Sequence, residues 1–178
     1  MRPAPSPEGS PFAPWSRLRE ALAGSFAARA RGLLASEFIL LNRGGEEFGR
    51  LRIDGPEGGE LEAGDLRAVI EGVPRSGHRM LSGGAQTLVA QPVGSSDTLE
   101  IMCGDRRYEA RLSLLRNIAV ARVPDGGEAA RVTGGLANRS YEAVFDAEDE
   151  ASLPVAVFLL YHTVALRRRA YRAGATGS

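Results

Sequence analysis

The chain has 178 residues, with 22 basic and 22 acidic side chains and a formal net charge of zero. A neutral chain has no general electrostatic attraction to nucleic acid, so we expect no nucleic-acid partner. Every basic residue is arginine, which excludes a lysine nucleophile, and the single cysteine, Cys103, excludes an internal disulfide and a cysteine-based metal site.

The length is that of one domain. Residues 1–14 are rich in Pro, Ser and Gly and are expected to be disordered, as is the tail at residues 173–178. The first residues contain no apolar segment typical of a signal peptide. We therefore expect a cytoplasmic protein, with the inner membrane face as the place of any peripheral binding.

Residues 15–35 are predicted to form an amphipathic helix, because Trp15, Leu18, Leu22 and Phe26 recur every three or four residues. Its arginines lie off that apolar stripe. Two interpretations stay open: the stripe docks on the following domain, or the helix lies on an anionic membrane surface.

From residue 36 the apolar period changes to that of strands. Ten strands are predicted, joined by Gly-rich turns, at residues 37–41, 48–53, 66–71, 79–82, 86–93, 98–103, 107–115, 118–123, 128–133 and 141–146. Residues 54–65 are acidic and Gly-rich, and they are predicted to be a solvated loop. Regular short strands with turn signals favour an antiparallel sandwich or barrel.

Residues 153–166, LPVAVFLLYHTVAL, form the one long apolar run. Acidic residues precede it and arginines follow it, as the helix dipole favours, and a helix that is apolar all round must be enclosed by protein or lipid. Because fourteen residues are too short for a bilayer, we expect a buried central helix at about residues 151–170 and no transmembrane span, with a tail anchor as the alternative. A closed antiparallel β-barrel of about 10–12 strands over residues 36–172 would enclose it. The side chains predicted to fill the barrel are Leu153, Val157, Phe158, Leu160, Tyr161 and Val164.

The opening hairpin FILLNRGGEEFGRLRI, the meander of short strands and the closing segment GLANRSYEAVFDAEDEASLPVAVFLLYHTVALRRR resemble the tubby C-terminal-like superfamily, which includes the tubby, phospholipid scramblase and LURP-one-related families. That resemblance implies a barrel of about twelve strands around a hydrophobic C-terminal helix. It also implies a binding or membrane-associated module rather than an enzyme. Tubby-type members bind phosphoinositides through basic residues, and scramblase-type members carry cysteine-rich lipidated segments and a proposed calcium site. Since this chain has no lysine, no cysteine cluster and no calcium loop, no functional residue transfers by position.

No catalytic or metal constellation stands out, and no cofactor is expected. His162 is predicted to be a core histidine bonded to a strand carbonyl, with a ligand-binding or pH-sensing role as the alternative. His78 lies near Ser76, but their spacing does not form a nucleophile elbow.

The arginines after the apolar run either compensate the helix dipole or contact anionic lipid head groups. The predicted function is a non-enzymatic binding module at an anionic membrane surface or on a protein partner. The alternative is a carrier that holds a small apolar ligand in a cavity inside the barrel. The candidate contacts to lipid or another anion are Arg17, Arg29, Arg31, Arg167, Arg168 and Arg169.

Overall fold

The computed structural model describes residues 12–32, 36–55, 57–135 and 137–175. Twelve strands form one closed antiparallel barrel, which confirms the predicted fold class. The strands are β1 (Ser25–Arg31), β2 (Glu37–Leu41), β3 (Glu47–Gly55), β4 (Gly58–Ala63), β5 (Leu66–Val73), β6 (Gly77–Ser82), β7 (Ala85–Val93), β8 (Ser95–Cys103), β9 (Arg106–Ser113), β10 (Ile118–Arg122), β11 (Glu128–Gly134) and β12 (Ser140–Phe145). Two helices, α1 (Ala13–Leu22) and α2 (Ser152–Ala175), lie before and after them.

The barrel is a meander in which each strand pairs with the next one in the chain. β1 closes it by pairing with both β2 and β12, so that Phe26 lies opposite Ala143 and Ala27 opposite Leu41. Closure satisfies the backbone hydrogen bonds of what would otherwise be two edge strands.

Helix α2 occupies the barrel interior. All residues from Ser152 to Ala165 are buried, and the six predicted to fill the barrel are at most 4% exposed. Asp149 helps to start the helix because its Oδ1 accepts a hydrogen bond from the backbone N–H of Ala151 at 3.0 Å. Neither described helix is long and apolar enough to cross a membrane.

Helix α1 covers the barrel end at which α2 begins, here called the capped end. Trp15 is fully buried there, and its indole Nε1 donates a hydrogen bond to Ser82 Oγ at 2.8 Å. The described part of the first helix therefore docks on the barrel. The opposite end, where α2 leaves the barrel near Leu166, is called the exit end.

The prediction of a helix over residues 15–35 is wrong beyond Leu22. Ala23 adopts a left-handed conformation (φ 51°) that ends α1, and Gly24 follows at φ 92°. The next residues alternate in burial, with Phe26 and Ala28 inward, and form β1. Residues 33–35 lie outside the described residues.

The predicted disordered ends are also too long. Ala13 and Pro14 belong to α1, and α2 continues through Ala175. The remaining residues of both predicted ends, 1–11 and 176–178, lie outside the described residues.

The prediction of a loop at residues 54–65 is wrong because its acidic residues alternate with small and apolar ones. In β4, Leu61 and Ala63 point inward. Glu60 and Glu62 alternate with them, and each forms an ion pair with an arginine of a neighbouring strand, at 2.6 and 2.5 Å.

Candidate anion-binding site

A surface cleft of about 820 Å³ lies at the exit end, beside the emerging end of α2. We call it the arginine cleft, because four arginines line it: Arg139, Arg167, Arg168 and Arg172. Three of them belong to α2, and the fourth lies in the turn before β12. Antiparallel pairing places that turn at the same barrel end as the C-terminus of α2.

Arg168 is a partly buried cation of this cleft. Its Nη1 donates a hydrogen bond to the Ile53 carbonyl at 3.4 Å, and its Nη2 is buried without a hydrogen-bond partner. Burial lowers its pKa, and the neighbouring Arg172 guanidinium acts in the same direction. An unbalanced, partly desolvated cation of this kind is stabilised by any anion that reaches it.

Neither Arg167 nor Arg168 forms an ion pair with a carboxylate among the described residues. Arg167 Nη1 instead bonds to the Leu114 carbonyl at 2.5 Å. Asp54 also lines the cleft, but it pairs with Arg52 on β3 at 3.0 Å. Neutral carbonyls therefore hold these guanidiniums in place while leaving their charge uncompensated.

Arg139 and Tyr141 also line the cleft. Arg139 Nη2 donates to the Gly32 carbonyl at 2.8 Å, which ties the turn before β12 to the end of β1. Burial raises the pKa of Tyr141, while the guanidiniums of Arg167 and Arg168 oppose that rise. The Tyr141 phenol thus stays protonated near both cations.

Large apolar side chains are exposed next to the arginine cleft. Leu115, in the turn after β9, is fully exposed, and Leu114 beside it is 37% exposed. Tyr171, one helical turn beyond Arg167, is 82% exposed. Because Arg167 contacts the Leu114 carbonyl, this apolar rim (Leu114, Leu115 and Tyr171) and the arginines form one surface.

A second cleft, of about 370 Å³, lies beside another face of the emerging helix. We call it the histidine cleft, because both histidines of the chain line it, with ring centroids 5.6 Å apart. Arg75 and Arg169 also line it. His162 is buried as predicted, but neither ring nitrogen makes a hydrogen bond of normal geometry. The backbone of Ser96 lies near enough only to oppose in part the fall in its pKa.

The six candidate arginines do not form one site. Arg167 and Arg168 lie in the arginine cleft and Arg169 in the histidine cleft. Arg31 lies at the exit end of β1 and pairs with Glu37 at 3.4 Å. Arg29 is exposed on the barrel wall, and Arg17 pairs with Asp65 near the capped end.

Two members of the arginine cleft were not among those six candidates, although the sequence places Arg172 in the same basic cluster as Arg167, Arg168 and Arg169. Arg172 follows the predicted triple arginine by one helical turn. The direction of the last strand could have indicated Arg139. Helix α2 begins at the barrel end where β12 ends, so its C-terminus lies at the end where β12 begins, next to Arg139.

The described residues contain no cluster of three or more His, Cys, Asp or Glu side chains that could hold a metal ion. Cys103 is buried, and burial raises its pKa to about 12, with Asp149 as a second cause. Its thiol is therefore protonated at neutral pH and is a poor nucleophile.

No protein-family model matches the chain, and no curated protein matches it. Among solved structures, it is similar to the X-ray structure of a protein from Arabidopsis thaliana, with a TM-score of 0.54 and 14% sequence identity. The match covers 77% of this chain and 90% of the plant protein. At that identity the similarity concerns the fold.

Proposed function

We propose that the protein is a non-enzymatic binding module that docks on an anionic membrane surface, with the arginine cleft holding a lipid phosphate group. The observation that carries this proposal is Arg168, a partly buried cation with no carboxylate partner in the described part of the chain, in a cleft with three more arginines. The module would belong to the tubby C-terminal-like superfamily, whose implied barrel and central helix match this fold.

Arginine is suited to this ligand because its planar guanidinium donates parallel hydrogen bonds to two oxygens of a phosphate. The backbone carbonyls that hold Arg139, Arg167 and Arg168 reduce the side-chain entropy that such binding would cost.

The apolar rim favours a membrane over free phosphate. A fully exposed leucine at a turn gains free energy when it enters the acyl boundary, and an exposed tyrosine suits the headgroup level. With Leu115 and Tyr171 beside the arginines, one docking geometry satisfies both the charged and the apolar groups.

The test is flotation of the full chain with phosphatidylcholine vesicles with and without phosphatidylserine. We expect binding only to the anionic vesicles and weakening with salt, because exposed charges are screened. Arg172→Gln should weaken binding about fivefold, since a basic residue near an anionic surface contributes about 1 kcal/mol. Leu115→Ser should also weaken it.

Each variant has a matched control on the barrel wall. Arg111 is 79% exposed on β9 and Val144 is 54% exposed on β12, so Arg111→Gln and Val144→Ser should bind as the unchanged protein does. A truncated chain starting at Ser36 cannot be used to test whether the first helix contacts the membrane. It would also lack β1 and leave the barrel open.

Equal loss in the cleft and wall variants would refute the arginine cleft as the contact. Absence of flotation with either vesicle would refute membrane docking and favour a protein partner. The carrier with an apolar ligand inside the barrel is less favoured, because α2 side chains occupy the interior.

A further inference from the structure

The histidine cleft is separate from the proposed membrane contact, since its lining residues are not those of the arginine cleft. Its volume is at the lower end of the range for small-molecule sites, about 300–1,000 Å³. Apolar groups make up much of its wall: Val73, Pro74, Pro92, Leu99 and Leu166.

His162 supplies polar groups to this apolar cleft. The side chain is only 6% exposed, and neither ring nitrogen has a normal hydrogen bond. Burial lowers its pKa to about 4, and the charges of His78 and Arg169 contribute. At neutral pH the ring is therefore uncharged, with one N–H donor and one acceptor nitrogen.

Two guanidiniums, those of Arg75 and Arg169, also line the cleft. Neither forms an ion pair with a carboxylate among the described residues. Glu57 lines the cleft as well, but the two arginines outweigh its charge. Arg169 and His162 line the same cleft, and the charge of Arg169 is one of the smaller causes of the lowered His162 pKa.

Arg75 occupies a costly backbone position. It has φ 63°, in the turn where Ser76 N–H bonds to the Val73 carbonyl at 3.0 Å, and Pro74 precedes it. This position of such a turn favours glycine, and a residue with a Cβ is strained there. Strain of this kind at the edge of a cleft is one ground for a functional hypothesis about the side chain.

We propose that the histidine cleft binds a small amphipathic carboxylate, whose charged group lies between Arg75 and Arg169 and accepts a hydrogen bond from His162. The carbon skeleton lies against Leu99, Leu166 and the two prolines. A bare anion would leave the apolar wall unused. A cation or metal ion would meet two guanidiniums and too few ligands.

The two histidines make this cleft directly observable, because the chain contains no others and both line it. NMR spectra of the full chain with labelled histidine would be recorded during titration with octanoate below its micelle concentration. We expect both ring signals to shift saturably. Acetate, which lacks the chain, and 1-octanol, which lacks the charge, should each bind at least about tenfold more weakly.

Arg75→Gly separates binding from folding. It removes the guanidinium and relieves the backbone strain, so the unfolding midpoint should stay unchanged or rise, while octanoate binding weakens at least about tenfold. Arg172→Gln, in the arginine cleft, is the matched control and should bind octanoate as the unchanged protein does.

The proposal would be overturned by the absence of any shift of the histidine signals up to the solubility limit, by equal binding of octanoate and 1-octanol, or by unchanged octanoate binding in Arg75→Gly. Loss of binding in Arg172→Gln would assign octanoate to the arginine cleft and would also overturn it. Since the membrane proposal is tested at Arg172 and Leu115, failure here leaves it standing.

Discussion

His162 should make the stability of the fold depend on pH, and replacing it with phenylalanine should remove that dependence. Burial lowers its pKa from about 6.5 to about 4 in the folded protein. In this interval the unfolded chain binds the proton more readily than the folded chain does. Stability is therefore full above about pH 6.5 and falls as the pH drops to about 4. A difference of about two and a half pKa units corresponds to about 3 kcal/mol.

The assay is urea unfolding of the unchanged protein and of His162→Phe at several pH values across this range. Carboxylates titrate in both proteins, so the difference between the two curves isolates the histidine. We expect His162→Phe to gain about 3 kcal/mol relative to the unchanged protein between neutral pH and about pH 4. A packing change from the new ring would shift the difference by the same amount at every pH. If the free energies of unfolding of the two proteins differed by the same amount at every pH, the inference that the buried, neutral imidazole of His162 faces the histidine cleft would be refuted.

Three further substitutions test the packing of the barrel by denaturant unfolding. Gly59→Ala should destabilise the fold by about 1–3 kcal/mol, because the new Cβ would lie 2.9 Å from the Arg52 carbonyl and 3.0 Å from the Tyr161 ring. Gly58→Ala is its control and should be nearly neutral, because its Cβ would make only an ordinary 3.5 Å contact. Asp149→Asn should cost about 3 kcal/mol, because this buried carboxylate accepts a 2.7 Å hydrogen bond from Tyr108 and pairs with an arginine at 3.1 Å. Trp15→Phe should cost about 1–3 kcal/mol by removing the indole hydrogen bond and part of the cap on the barrel. Equal stability of Gly58→Ala and Gly59→Ala would contradict the close contacts at Gly59. Unchanged stability of Asp149→Asn or of Trp15→Phe would contradict the contacts given for that residue.

Most of the barrel could be predicted from the sequence because alternating apolar and polar residues, bounded by Gly-containing turns, mark each predicted strand. All ten predicted strands overlap an observed one, and α2 follows from an apolar run too short for a bilayer. The two missed strands have specific reasons. β1 is rich in alanine, which is compatible with either period, and Phe26 follows Leu22 by one helical turn. β4 opens with two glycines and lies in an acidic, Gly-rich stretch whose composition favours a loop.

The candidate site was less predictable. Three consecutive arginines follow the apolar run, but successive residues of a helix point about 100° apart. The rotation of α2 is set by side-chain packing inside the barrel, which places Arg168 in one cleft and Arg169 in the other. The carbonyl partner of Arg168, Ile53, is 115 residues earlier in the chain, and only the strand register brings the two together.

Although the net charge is zero, charges are paired differently on the barrel wall and at the exit end. On the barrel wall, arginines pair with carboxylates of neighbouring strands, as Arg79 does with Glu71 at 2.8 Å and Arg107 with Glu100 at 2.6 Å. Such exposed pairs contribute little to stability, but the two charges within each pair largely cancel and add little to the electrostatic potential outside the barrel wall. At the exit end, Arg167 and Arg168 bond to carbonyls instead, so their charge is not cancelled. This contrast is the charge pattern on which the proposed docking rests, because the two guanidiniums without a carboxylate partner among the described residues lie at the end that also carries the exposed Leu115.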